Sequence, residues 1–272
     1  MKKINYENPS SIVGALKGQD ALVITLGALA PKDVQDKLVE AAIEAGVRFI
    51  LPNEWSPDTA NEGLLKDVFP FASKPQIRNK IASQGGGKTS YVAVTTGFWF
   101  EWSLAISAAY GFDLAKKSVT FFDDGETITN TSTWPQVGRA VAALLSLPIE
   151  AEGNKDKCLS RFRNQQVYIS SFAVTQREMF ESVLRVTGTK TDEWTIKSEP
   201  SHERYAAGLE AMKKGERIGF AKMMYTRVFY KDDSGHFEKT KGTLNSLLEL
   251  PKENIDEFTA VAIERSQQVQ WA

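Results

Sequence analysis

Apolar positions in the first half of the chain gather into short, nearly continuous runs, and the stretches between those runs carry helical spacing. Ala21-Leu22-Val23-Ile24-Thr25-Leu26, Val47 to Leu51 and Tyr91 to Thr95 are the runs, of a kind that forms strands covered on both faces. Asn8-Pro9 predicts a helix start, with Ile12, Val13 and Leu16 on its apolar face and Gly18 at its end. A second helix is predicted from Pro31, with Leu38, Ala41, Ala42 and Ala45 inward and Gly46 closing it, and a third around Pro75 to Ser83. Strand–helix–strand units with connections of this length predict an α/β fold, a doubly wound parallel sheet with helices on both faces.

The second half is mixed. Val119 to Phe122 and Thr127 to Thr129 flank Asp124-Gly125, which predicts a hairpin because both turn residues tolerate positive φ. Thr133-Trp134-Pro135-Gln136 and Thr175-Gln176-Arg177-Glu178 have the spacing of capping boxes. Amphipathic stretches run from Ser201 to Lys214 and from Pro251 to Gln270. The expected organisation is a sheet domain over 1–150 and a smaller, mainly helical lobe over 151–272 that is not independent of it.

In doubly wound sheets, ligands bind at the carboxyl ends of the strands. Here those ends are Thr25-Leu26-Gly27, Pro52-Asn53-Glu54 and Thr96-Gly97-Phe98. Gly27 and Gly97 serve a cleft or simply turn the chain, and their positions alone do not separate the two.

Composition narrows the function classes. The 272 residues are 42% hydrophobic and 25% charged, with 33 basic and 34 acidic side chains and a net charge of −1. That is the balance of a globular protein, and it lacks the basic excess of a nucleic-acid or anionic-membrane binder. The single cysteine, Cys158, allows no internal disulfide and no multi-cysteine zinc site, so a reducing, cytoplasmic setting is expected. The most apolar stretch, Tyr91 to Phe112, contains Glu101 and changes period midway, as a strand passing into a helix would.

Several familiar signatures fail. Ala82-Ser83-Gln84-Gly85-Gly86-Gly87-Lys88-Thr89 imitates a phosphate-binding loop but precedes a strand instead of following one, so it reads as a glycine-rich helix end. No G-x-G-x-x-G or G-x-S-x-G occurs, and His202 and His236 are too few and too isolated for a metal site. Lys74 and Arg78 are four residues apart and can share a helical face. A lysine whose ammonium pKa is lowered by burial or a neighbouring cation can donate a proton to a reducible carbonyl or alkene. Spacing alone favours the plainer reading, two solvated cations at an ordinary helix start.

Gly46-Val47-Arg48-Phe49-Ile50-Leu51-Pro52-Asn53-Glu54-Trp55 resembles the G-V-x-R-F-x-P-S-E-[FWY] segment of NmrA-like and isoflavone-reductase-like proteins. Phe71, Lys74 and Arg78 match their F-x-x-K-x-x-x-R, and Thr96-Gly97-Phe98-Trp99 is similar to their G-F-F element. The segments Gln136 to Leu145 and Phe180 to Thr189 are closest to the fungal, CipA-type branch. The resemblance spans the chain. It implies an atypical short-chain-dehydrogenase, Rossmann-like fold and NAD(P)H-linked reduction of a small apolar or aromatic molecule.

On that resemblance Lys74 is the catalytic residue. Thr25, Leu26, Gly27, Pro52, Asn53, Glu54, Lys74, Thr96, Gly97 and Phe98 contact NADP(H), or alternatively NAD(H). No metal, nucleic acid or membrane is implied, and the protein is expected as a monomer or homodimer. Family chains begin with a strand, a G-x-x-G-x-x-G loop, a helix and a second strand ahead of the equivalent of Lys3 to Tyr6, so the sheet domain is expected to be incomplete at its N-terminus. Lys2 to Tyr6 should then pair beside Ala21 to Leu26, or a second molecule should cover that edge. The alternative to an enzyme is a non-catalytic, nucleotide-sensing or partner-binding protein, or a truncated remnant.

Overall fold

The computed structural model describes residues 2–27, 30, 31, 33–151, 153 and 157–268. In chain order the elements begin with α1 (Pro9–Leu16), β1 (Ala21–Val23), α2 (Val34–Ala45), β2 (Phe49–Leu51), α3 (Glu62–Asp67), α4 (Ser73–Gln84), β3 (Ser90–Thr95) and β4 (Phe98–Trp99). They continue with α5 (Phe100–Leu104), α6 (Ser107–Tyr110), β5 (Phe112–Asp113), β6 (Ser118–Phe122), β7 (Thr129–Ser132) and α7 (Trp134–Ser146). The last are β8 (Gln165–Tyr168), β9 (Phe172–Val174), α8 (Gln176–Thr187), β10 (Thr195–Glu199), α9 (Ser201–Lys213), α10 (Arg217–Thr226), α11 (Phe237–Lys241) and α12 (Ile255–Ser266). The fold is α/β, and the chain forms two compact units.

The first unit comprises Met1–Trp55, Pro70–Thr95 and Val141–Val167. Its sheet has the order β1-β2-β3-β8, with β2 parallel to both β1 and β3. Helices supply the crossovers that parallel neighbours require. Gly46, at φ 76°, ends α2, and the Val47 N–H returns to the Ala42 carbonyl, as in a glycine-closed helix end. Ile12, Ile24, Val39, Val47, Ile50 and Ile81 are among the buried residues of one apolar core. The glycine-rich run behaves as a helix end: α4 stops at Gly85, and Gly86 and Gly87 reverse the chain into β3.

Three expectations need correction here. The strand predicted over Ala21 to Leu26 pairs only at Ala21–Val23 and is half-buried, whereas β2 is fully covered. The reason is position: among the described residues β1 ends the sheet. Lys2 to Tyr6 does not pair beside it, because the segment forms no strand. The Asn5 side chain instead accepts the Glu7 N–H at 2.9 Å, and the Asn5 N–H goes to Ser11 Oγ at 3.1 Å, a local turn that competes with a ladder. Third, α2 starts at Val34, not Pro31. In α4, Pro75 lies within the first turn, where the N–H it lacks has no intrahelical partner to lose.

The second unit comprises Ser56–Phe69, Thr96–Ala140 and Tyr168–Ala272. It holds two three-stranded sheets, β10-β6-β5 and β4-β7-β9. The predicted hairpin is therefore wrong. The chain does turn at Asp123 (φ 55°) and Gly125 (φ 75°), but β6 pairs with β10 and β5, while β7 pairs with β4 and β9.

Every residue of β7 is buried, and two of its hydroxyls are satisfied near its own sheet: Thr131 Oγ1 donates to the Phe98 carbonyl at 2.7 Å and Ser132 Oγ to that of Thr96 at 2.6 Å. Buried hydroxyls need such partners. The capping box at Thr175 forms in full. At Thr133 it is half made: the Gln136 N–H reaches Thr133 Oγ1, but the Gln136 side chain donates to the Pro251 carbonyl.

Candidate active site

In the first unit the carboxyl ends of β1 and β2 are joined by side chains after the main-chain ladder stops. Asn53 Oδ1 accepts the Leu26 N–H and Asn53 Nδ2 donates to the Leu26 carbonyl, both at 3.2 Å. The Asn53 carboxamide thus imitates one more residue pair of a sheet. Gln35 Oε1, from α2, accepts the Asn53 N–H at 2.8 Å, and Trp55 Nε1 donates to the Ile24 carbonyl at 2.7 Å.

The turn Pro52-Asn53-Glu54 is held on its other side by α4. Lys74 Nζ donates to the carbonyl oxygens of Asn53 and Glu54, each at 2.7 Å. One helical turn later Arg78 Nη1 meets Glu54 Oε1 at 2.7 Å, and the two side chains are 9% and 1% exposed. Desolvation by burial pushes the Lys74 amine down to about 8, with the Arg78 cation adding to the shift and the Glu54 carboxylate opposing it. An amine in that range can hold a proton near neutrality and release it without a strong base.

The structure therefore gathers Leu26, Asn53, Glu54 and Lys74 into one hydrogen-bonded group. Thr25 and Gly27 flank it as exposed residues, and Pro52 is buried behind it. Leu26 also lines a hollow of about 490 Å³ with Ile4, Tyr6, Pro31 and Val34.

Thr96, Gly97 and Phe98 belong to the second unit. Ser56 accepts the N–H groups of Thr96 and Gly97 at its carbonyl, each at 3.2 Å. Gly97, at φ 68°, passes so close to the Asn130 carbonyl that no side chain fits. Phe98 is 6% exposed, and its ring lies against Tyr225 at 4.0 Å between centroids. Tyr225, on α10, gives no sequence signal, because only the tertiary fold brings it to β4. Arg78 was visible as the end of F-x-x-K-x-x-x-R. Glu54 was visible as a strand-end residue, but its pairing with Arg78, 24 residues apart in the chain, was not.

Residues 1–104 match the NmrA-like family. The oxidoreductase aprR of Aspergillus flavus is 26% identical over 260 residues, covering 94% of this chain and 81% of that protein. Among solved structures, an isoflavone reductase superposes with a TM-score of 0.70 at 18% identity, over 94% of this chain and 78% of that one. The NADPH-dependent quinone oxidoreductase QOR2 of Escherichia coli, complexed with NADPH, gives 0.67 at 18% identity over 95% and 82%. At this identity the structural likeness establishes the fold.

The donor set of the first unit fits the nicotinamide end of a dinucleotide: a buried amine and main-chain oxygens at the strand ends, next to exposed Thr25 and Gly27. Gly85 to Gly87 does not fit its phosphates, because the run closes α4 at its C-terminal end, whereas anions are held by the N–H groups of a helix N-terminus.

Proposed function

We propose that this chain, NmrA-like in its first 104 residues and isoflavone-reductase-like in fold, is an NAD(P)H-linked reductase of a small apolar or aromatic molecule, with Lys74 as proton donor. The observation that carries the reading is the Lys74 amine, fixed by two main-chain oxygens and lowered to about 8. NADP(H) is the favoured dinucleotide, because QOR2 uses NADPH; the aprR relative is an oxidoreductase.

When bound, the reduced nicotinamide supplies a hydride. Lys74 supplies the matching proton: one N–H bond of its ammonium breaks, the proton passes to the substrate's oxygen or carbon as that atom gains negative charge, and a neutral amine remains. Burial favours that neutral amine, and the Asn53 and Glu54 carbonyls keep it in place until water returns the proton. Thr25, Leu26 and Gly27, with Pro52, Asn53 and Glu54, would hold the nicotinamide end at the strand termini. Thr96, Gly97 and Phe98 are further candidates for cofactor contact on the family resemblance; within the second unit Phe98 is backed by Tyr225. The segment 151–272 would select the substrate.

The test is NADPH oxidation against a panel of enones and aryl alkenes. Lys74→Ala is expected to lower turnover by about 10²- to 10⁴-fold, the usual worth of general acid catalysis. Unchanged turnover in the variant would remove Lys74 from the chemistry. Micromolar NADPH binding with no reduction of any compound would replace the enzyme reading with nucleotide sensing.

A further inference from the structure

The Lys74 amine is held by main-chain oxygens, so its position depends on whatever holds the main chain. The Asn53 carbonyl is fixed by the Asn53 carboxamide on Leu26 and by Gln35. The Glu54 carbonyl is fixed through the Glu54 side chain, whose carboxylate meets Arg78 at 2.7 Å. Lys74 and Arg78 are one turn apart on α4. The amine and the ion pair are therefore two rungs between the same helix and the same turn.

Both charges of the lower rung are buried, where a charge acts at short range with little screening. Of the charged groups on the packed elements, Lys80 on α4 is occupied with Asp36 and Glu40 of α2. Tyr91 on β3 senses the Arg78 and Glu54 charges. Glu54 and Arg78 are the charges that act on the Lys74 amine.

We propose that Glu54 and Arg78 are positioning residues for Lys74: their ion pair pins α4 to the Asn53–Glu54 turn and so fixes the two carbonyls that hold the amine. The inference rests on Lys74 being the reactive amine, but its consequence can be read without turnover. A buried pair of this kind loses its geometry when one partner is removed, because the other is left as an uncompensated charge. The two single variants also act on the amine with opposite signs. Without the Arg78 cation the ammonium is easier to keep, and without the Glu54 carboxylate it is harder to keep.

The experiment is competitive labelling of the full chain with a trace acylating reagent across pH 6 to 11, with the Lys74 peptide followed by mass spectrometry. Arg78→Gln is expected to raise the Lys74 titration midpoint and Glu54→Gln to lower it, each by about one pH unit. Arg78→Lys should return the midpoint toward the parent value. The double variant Glu54→Gln/Arg78→Gln leaves no lone charge and carries the test where a single variant fails to fold. It should label several-fold faster at its high-pH plateau, because the amine is released from its carbonyls.

Single variants that move the midpoint in the same direction, or a double variant that titrates and labels like the parent, would overturn the proposal. A chain that reduces nothing yet shows these shifts would overturn the reductase reading and leave the positioning intact. Loss of turnover in Lys74→Ala with unmoved titration in the pair variants would do the reverse.

Discussion

At Lys74 one side chain links stability to acidity, and the direction follows from where its proton sits in each state. The unfolded lysine keeps its proton to about pH 10.4, whereas the folded amine releases it near 8. Below 8 both states are charged, and the folded protein bears the full cost of the desolvated ammonium. Between 8 and 10.4 the unfolded state binds more protons, so stability rises with pH through that window. The gap corresponds to about 3 kcal/mol. The difference in unfolding free energy between the parent and Lys74→Met, from denaturant melts at pH 7 and pH 11, is expected to change by about that amount in the parent's favour. A flat difference would show that the amine is not perturbed. The sequence made Lys74 and Arg78 legible as a pair because helical spacing is local. Glu54 was legible only as a strand-end residue, since its burial depends on α4 folding back over the turn.

Among the elements, those defined by near-neighbour chemistry were readable and those defined by distant partners were not. Thr175 and Glu178 cap α8 as their spacing required, and Gly46 ends α2. β6 and β7 were misread as one hairpin because Asp124-Gly125 fixes a turn but says nothing about which strands lie alongside. Nor did periodicity reveal the contact of α9 and α10. There, a Cβ added at Gly219 would lie 2.6 Å from both the Gly208 carbonyl oxygen and the Met212 nitrogen, and one at Gly208 would lie 2.7 Å from the Met223 nitrogen. Those neighbours are main chain and cannot rotate away. Gly219→Ala is expected to destabilise by about 1–3 kcal/mol, the range for forced overpacking, despite alanine's better helix propensity. A thermal melt compares it with Gly138→Ala, where a Cβ meets nothing within 4 Å and stability should rise by up to about 1 kcal/mol.

For the whole molecule, the chain leaves one compact unit for the other at residues 55–56, 69–70, 95–96, 140–141 and 167–168. Neither unit is a continuous stretch of sequence, which is why composition and length gave no hint of this division. A cut between 150 and 151 would leave each fragment with parts of both units. Separately expressed 1–150 and 151–272 are therefore expected to lack the single cooperative melt of the intact chain. Two sharp independent transitions would contradict this.

The end position of β1 in its sheet also sets an order of reaction. Folding of one chain is first order in protein, whereas pairing of the β1 edge, which has no further strand beside it among the described residues, with that of another chain is second order. The exposed polar rim that natural edges use to discourage such pairing is missing from Ala21-Leu22-Val23. Dilution should then favour correct folding and concentration should divert it. Recovery on refolding becomes a race whose outcome depends on how many molecules share the tube.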